Sequence, residues 1–349
     1  AATAFTVSVA CISANRAITC GAEAIAAGQA DFILAGGTES LTDIPIQYKK
    51  SLRMRLMQMN RARGILDYLK LLRGLRPSDL LPEIPVIAEF STGRSMGQDC
   101  DRLAARIGVS RQEQDFFAMR SHQLAARAAA EGLLAQETEP VRVPPDFTPI
   151  VQDNGFRADT SLEQLAKLKP AFQRPYGTVT AGNSSFLTDG AAVVLIASEE
   201  AALAEGYRPK AIIREYAYSG QDPQEELLLG PAYAVSMLLK KSGLALGDID
   251  VIESHEAFAG QVLANIKCLA SDQFAREKLG RSEKVGEVPL EKLNTMGGSL
   301  SLGHPFGATG ARLVTTATNR LIRENGRYAI VTGCAAGGLG NAILLERYV

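Results

Sequence analysis

The sequence has almost no net charge: 37 basic and 38 acidic residues leave −1, and the pI is about 6.4. No global field therefore draws it to nucleic acid. It has no C-x-x-C pair and no zinc-type spacing of Cys and His, so no metal site is expected. Its five cysteines are an odd number, which favours a reducing compartment over secretion. No run of about 18 apolar residues is present, which excludes a membrane-spanning helix. There is no initiator methionine and no targeting segment. Ala1-Ala2-Thr3 leads almost directly into an apolar stretch, as processing or truncation would leave it, and any transit peptide would lie upstream.

What is present is a 349-residue chain, 46% hydrophobic, able to bury a large core as one α/β assembly or several domain-sized units. An Ala-rich helical pattern covers 13–29, and a buried strand 31–35 closes on Gly36-Gly37. From about 41 to 174 the pattern is Pro-punctuated and mostly helical. Regular α/β order returns at 177–180 and in a strand over 191–196. A helix (198–205), a strand (211–214), a helix (231–242) and a strand (250–252) follow. Helices over 257–269 and 308–323 and two closing strands complete the chain. Strands alternating with helices predict a parallel or mixed sheet covered on both faces. A faint internal repeat relates the strand–Cys11–helix–strand start to the His304–helix–strand end. It suggests two similar halves: residues 1–40 with 176–198, a helical insertion at 41–175, and a second half at 199–349.

Cys11 ends the apolar run from Val7 and precedes a helix, whose free N–H groups and positive end would lower a thiol pKa. A buried structural cysteine is the plainer alternative. Cys334 ends the closing strand 329–333 before Ala335-Ala336-Gly337-Gly338, whose successive N–H groups could form an oxyanion site or simply a tight turn. His304 lies in Gly303-His304-Pro305, and Pro305 suits the first turn of a helix, so His304 is a cap or a ligand-facing group. His255, in Ser254-His255-Glu256-Ala257-Phe258, follows a strand at the end where α/β sheets place ligands. His122 reads as part of a solvated helix face, and Cys20, Cys100 and Cys268 as packing residues. A nucleophilic thiolate, a second thiol to move protons and a histidine to polarise a carbonyl suit carbon–carbon bond cleavage.

Lys49 to Arg76 carries nine Lys/Arg against one acid, Asp67, interleaved with Leu52, Met54, Leu56, Met57, Met59, Ile65, Leu66 and Leu69. This predicts a basic amphipathic helix or helical hairpin resting on an anionic membrane surface or a partner. A solvated basic face, a subunit interface and a phosphate-docking surface are the alternatives.

Taken together, Val9-Ala10-Cys11-Ile12-Ser13, Gly177 to Ser185, His255-Glu256-Ala257-Phe258, Gly303-His304-Pro305 and Cys334-Ala335-Ala336-Gly337-Gly338 resemble the thiolase family, in its motif order and over essentially the whole chain. The His255-Glu256-Ala257-Phe258 form, where most thiolases begin with Asn, and the basic segment look like the β-subunit branch of the trifunctional fatty-acid oxidation complex. The resemblance implies a duplicated α-β-α-β-α fold with a helical loop domain. It also implies that the N-terminal half is incomplete as given, without its first strands, so that its sheet would expose unpaired edges.

For function the resemblance implies a 3-ketoacyl-CoA thiolase of fatty-acid β-oxidation, with CoA as substrate and no permanently bound cofactor. Cys11 would be acylated, and Cys334 would protonate the departing enolate and then deprotonate CoA. His304 would activate Cys11 and, with His255, serve one oxyanion hole; the N–H groups of Cys11 and Ala336 would form the other. Ala181 and Ser185 match positions along the pantetheine path and Phe258 the acyl-pocket wall; Met96 is counted with these substrate-facing residues. Implied partners are acyl-CoA and CoA, a second copy of the chain or a higher oligomer, and a hydratase/dehydrogenase α-subunit. Peripheral membrane contact would run through 49–76, with no nucleic acid. The implied location is the bacterial cytoplasm or the mitochondrial matrix. A biosynthetic acetoacetyl-CoA-forming thiolase, a ketoacyl synthase-like condensing enzyme and a non-catalytic acyl-CoA-binding subunit are the alternatives.

Overall fold

The computed structural model describes residues 3–83 and 87–349. Its contacts divide the chain into Leu41–Ile87 and a larger unit, Ala1–Ser40 with Ala88–Val349. In chain order, a 3-10 turn (Ala10–Ile12) leads into α1 (Ser13–Ala26) and β1 (Phe32–Glu39). The smaller unit holds β2 (Gln47–Tyr48), α2 (Lys50–Met59), α3 (Ile65–Leu72) and β3 (Pro82–Glu83). The chain continues through α4 (Met96–Ile107), α5 (Arg111–Ala130), β4 (Val141–Arg142), β5 (Pro149–Ile150), α6 (Leu162–Ala166), β6 (Gly190–Ala197) and α7 (Glu199–Ala204). Next come β7 (Ala211–Gly220), α8 (Gly230–Ser242), β8 (Val251–Ser254), α9 (Ala259–Leu269) and α10 (Asp272–Lys278). It closes with α11 (Ser299–Leu302), α12 (Thr309–Arg323), β9 (Tyr328–Ala335) and β10 (Leu339–Arg347).

The main sheet has the order β7-β10-β9-β8. Only β8 and β9 are parallel; the other pairs are antiparallel. Side chains alternate across it with the strand period of two. Ile330, Cys334, Ala342 and Leu344 face a core built with α8 and α9. Val251, Ala329, Val331, Ile343 and Leu345 face a second core built with α1 and α12. Each fully buried aliphatic side chain contributes roughly 1.5–3 kcal/mol, so both faces of this mixed sheet are tightly held. Residues of α4 and α5, among them Cys100, Leu103, Ala104 and Phe117, join the α8–α9 core. Their N-termini carry the S-x-x-Q/E capping boxes Ser95/Gln98 and Ser110/Glu113, a signature legible in the sequence.

A two-stranded antiparallel sheet pairs β1 with β6, from Phe32↔Ala197 to Glu39↔Gly190. Helix, strand and antiparallel partner thus recur as α1–β1–β6 and α12–β9–β10. The strand expected to be buried over 31–35 is buried on one face only. Ala35 is buried, while Leu34, Val193 and Leu195 are 74%, 60% and 51% exposed.

Other expectations change for physical reasons. Residues 3–9 form no strand, because none of the described strands pairs with them. Residues 177–180 are irregular as well: the Asp101 carboxylate accepts the N–H groups of Thr178 and Val179 at 2.7 and 2.8 Å, in place of a neighbouring strand. His122 is buried rather than solvated. It lies on α5, which packs against α6, α9 and α11, and its Nδ1 accepts the Arg157 N–H at 3.2 Å. Cys100 and Cys268 are buried and Cys20 is half-buried.

In the smaller unit, Arg55 of α2 donates to the carbonyls of Leu71 and Arg73 at the end of α3, tying the two helices into a hairpin. No helix among the described residues is long and apolar enough to cross a membrane.

Candidate active site

Cys11 lies in the middle of the 3-10 turn that precedes α1. Ala10, just before it, has φ 44°, a left-handed conformation that costs a non-glycine residue roughly 1–3 kcal/mol. Ser13 holds the turn: its hydroxyl accepts the Val9 N–H at 2.9 Å and donates to Ala10 O at 2.7 Å. The strained bend presents the Cys11 sulfur to the interior.

There the thiol is not acidified as its place near a helix start suggested. Burial, the largest influence, pushes it up to about 11. The N–H groups of Ala336 and of Cys11 itself pull the other way, and the Glu39 carboxylate pushes it up again. Burial wins, because desolvating a thiolate outweighs two hydrogen bonds. Cys11 therefore rests as a thiol and needs a base.

A base is in place. Sγ of Cys11 and one ring nitrogen each of His255 and His304 all lie within 4.8 Å of one another. The two imidazoles are stacked at 3.9 Å between centroids, tilted by 37°. Both are buried. Burial holds His304 well below the usual histidine range and takes His255 down to about 3, with the Arg312 charge adding to both. Both rings are neutral at physiological pH, and the Nε2 of each is buried without a protein hydrogen-bond partner. Thr309 donates its hydroxyl proton to Pro305 O at 3.0 Å, so it accepts from His304 Nδ1 at 2.7 Å. This hydrogen-bond pattern puts the His304 proton on Nδ1 and leaves Nε2 as a free lone pair.

The Gly-His-Pro turn is fixed from outside. Gly303 has φ 87°, and a Cβ on it would stand 2.1 Å from Thr188 Oγ1, the atom that accepts the His304 N–H at 3.2 Å. His255 is held by the residues after β8. Asn294 brackets Ser254 through its N–H and its carbonyl, each at 2.8 Å. The buried Glu256 carboxylate accepts from Ser121, Asn294 and Leu300.

Cys334, at the end of β9, is buried, and burial pushes its thiol far above the usual range, with a negative charge on Cys11 pushing further. In the turn after it, Glu89 accepts the Gly337 N–H at 2.7 Å. The structure thus brings Cys11, His255, His304, Cys334 and the Ala336 N–H together from across the chain.

The comparisons with known proteins agree on a family. Residues 1–200 match the thiolase N-terminal domain and residues 207–347 the thiolase C-terminal domain. The chain belongs to the thiolase family. A Macaca fascicularis protein named trifunctional enzyme subunit beta, mitochondrial, is 55% identical over 345 residues, 99% of this chain and 72% of its own length. A 3-ketoacyl-CoA thiolase of Yersinia pestis is 48% identical over 343 residues, covering 98% of this chain and 79% of the relative. The crystal structure of human mitochondrial 3-ketoacyl-CoA thiolase in complex with CoA superposes with a TM-score of 0.79 at 31% identity, over 97% of this chain and 76% of that one. As a thiolase, the protein is an acyltransferase that uses CoA as a substrate and keeps no permanent cofactor.

The remaining candidate residues of this thiolase lie along one segment and its neighbours. Ala181 opens a 3-10 turn (Ala181–Asn183) and is exposed. Ser185 donates its N–H to Ala257 O at 2.9 Å, two residues after His255 in the sequence. Phe258 is buried edge-to-face against Phe172, 6.0 Å away. Met96 opens α4, half-buried against the same core. The Cys11, His255 and His304 donors could also hold a soft cation, which would first have to displace the Cys11 proton. Sequence reasoning missed Ser13, Glu89, Thr188, Asn294, Ser299 and Arg312. Each acts through a contact distant in the sequence or through a local turn that no motif announces.

Proposed function

We propose that this thiolase cleaves 3-ketoacyl-CoA with CoA to acetyl-CoA and an acyl-CoA two carbons shorter, in fatty-acid β-oxidation. The observation that carries this reading is the grouping of a half-buried Cys11 thiol, two neutral imidazoles and a second thiol, Cys334. His304 Nε2 takes the Cys11 proton, and the thiolate attacks the C3 carbonyl. The N–H groups of Cys11 and Ala336 receive the oxyanion. The C2–C3 bond breaks, leaving an acyl thioester on Cys11 and the enolate of acetyl-CoA. That enolate oxygen is received by His255 and by the proton now on His304, and Cys334 gives its proton to C2. The Cys334 thiolate then deprotonates CoA, whose sulfur attacks the acyl–Cys11 thioester. Cys11 leaves and recovers its proton from His304. Ala181, Ser185, Phe258 and Met96 line the path of the CoA arm and acyl chain in this proposal.

Two histidines beside a cysteine also suit a decarboxylating condensing enzyme, but that chemistry has no use for a second thiol. The test is thiolysis of 3-ketohexadecanoyl-CoA against acetoacetyl-CoA, with intact-mass detection of the acyl adduct on Cys11. Faster turnover of the short substrate would remove the trifunctional β-subunit reading, and an adduct elsewhere would remove the mechanism.

The chain works, in our reading, as the β-subunit of a complex with a hydratase/dehydrogenase α-subunit, in the mitochondrial matrix or the bacterial cytoplasm and as at least a dimer. Its basic hairpin rests on anionic membrane. Met57, Ile65, Leu66 and Leu69 in α2 and α3 are 68%, 77%, 69% and 57% exposed, among the basic side chains of 49–76. Exposed apolar groups flanked by cations suit an anionic bilayer surface. Flotation with cardiolipin vesicles should be salt-sensitive, absent with phosphatidylcholine alone, and lost in Leu66→Glu; equal binding to both vesicles would count against it.

A further inference from the structure

His255 and His304 each rest their Nδ1 on a buried hydroxyl, yet the two hydroxyls are committed differently. Thr309 spends its proton on Pro305 O and accepts from His304. Ser299 Oγ lies 3.0 Å from His255 Nδ1 and receives an N–H from Arg312 Nη2 at 3.1 Å. Ser299 is fully buried, and among the described residues these are the contacts its hydroxyl makes. A hydroxyl has one proton to give and two lone pairs. Arg312 takes one lone pair, so the acceptor left for the Ser299 proton is His255 Nδ1. The reverse orientation would strand that proton in the interior, which folded proteins avoid.

We infer that Arg312 and Ser299 are positioning residues that hold His255 as its Nε2–H tautomer, so that His255 donates to a substrate oxygen while His304 alone accepts protons. This rests on the thiolase mechanism proposed above and deepens it. Two imidazoles 3.9 Å apart that both presented lone pairs would repel a carbonyl oxygen gaining negative charge. With one lone pair and one N–H, the pair can deprotonate a thiol and stabilise an oxyanion in the same turnover. The direction runs Arg312 to Ser299 to His255, from a cation towards the site where negative charge develops. Ser299 lies on α11 and Arg312 on α12, so the Gly-His-Pro turn between them sets both histidines at once.

The chain has only three histidines, so long-range 1H–15N correlation of this chain, labelled with 15N-histidine, can resolve them, with His255→Asn and His304→Asn giving the assignments. The expected result is His255 protonated on Nε2 and His304 on Nδ1. In Ser299→Ala, the His255 signals should move to a mixture of tautomers. The kcat for thiolysis should fall ~10–100-fold, less than deleting an oxyanion donor outright, with little change in KM. Alkylation of Cys11 by iodoacetamide should stay within about twofold of wild type, because His304 keeps its lone pair. Arg312→Met should act in the same direction, and Ser299→Thr, folded by circular dichroism, should restore the tautomer. His255 protonated on Nδ1 in the wild type would overturn the inference, as would an unchanged kcat in a Ser299→Ala protein whose tautomer has shifted. Failure of wild-type Cys11 to form an acyl adduct would instead overturn the underlying mechanism, whatever the tautomer.

Discussion

Gly310, in the first turn of α12, lies against Asn15 of α1 with no room for a side chain: a Cβ there would stand 1.9 Å from Asn15 Oδ1 and 2.7 Å from its backbone nitrogen. This approach sets the N-terminal ends of two equivalent helices side by side. Cys11 precedes one and His304 the other, and that is how residues so far apart in the sequence share a site. Gly310→Ala should destabilise the protein by about 1–3 kcal/mol and lower kcat more than it raises KM. Urea denaturation and thiolysis kinetics would check both effects.

Because burial holds the Cys11 thiol up near 11, its reactivity at neutral pH depends on His304. In His304→Asn, alkylation by iodoacetamide at pH 7 should become slow and rise about tenfold per pH unit up to about pH 11. The wild type should alkylate faster at neutral pH. A general base must be neutral to act, and the His304 pKa is held well below its usual value. Its competent form therefore persists as pH falls, and the acid limb of the wild-type profile should lie below the normal histidine range. A pH–rate series on both proteins reads the difference.

Cys334→Ala removes the proposed proton carrier while leaving Cys11 and His304 in place. Thiolysis should fall by about 10²–10⁴, the usual worth of positioned acid–base catalysis, while Cys11 alkylation continues. Both half-reactions proceeding at the wild-type rate would show that another group carries the proton.

Glu89 is buried and anchors the turn after Cys334 by accepting the Gly337 N–H, with Ser91 bonded to its other oxygen. Glu89→Ala should release the Ala336 N–H from its orientation towards Cys11. A loss of about tenfold in kcat is expected, since an oxyanion donor is loosened rather than deleted. Glu89→Gln, which keeps an acceptor, should recover most of it in steady-state assays.

Arg320 of α12 is fully buried and donates to Glu253 at 2.8 Å and to Glu324 at 2.8 and 3.2 Å. Removing one member of a buried pair leaves an uncompensated group in the interior, so Arg320→Met should cost about 3–5 kcal/mol. Thermal denaturation of Arg320→Met beside Arg320→Met/Glu253→Gln should show the double variant to be the milder one.

The sequence by itself determined the alternation of strands and helices, the two cysteines and the Gly-His-Pro turn, because these are written in local periodicity and in residues with few other uses. It placed α1, α8, α9 and α12 within a few residues, but it closed β1 at Gly36-Gly37, which the strand runs through to Glu39. It misjudged 7–10 and 177–180, where extended patterns met no partner strand or met the Asp101 carboxylate instead. It took His122 for a surface residue because burial of α5 depends on three helices far from it in the chain. The tertiary structure alone decided the charge state of the site. A helix start beside Cys11 argued for a thiolate, but whether that dipole or desolvation wins depends on how much protein surrounds the sulfur, and at the half-buried Cys11 desolvation wins. The tautomers of His255 and His304 were likewise decided by Ser299, Thr309 and Arg312, whose protons acquire a direction only once the fold sets each donor against a single acceptor.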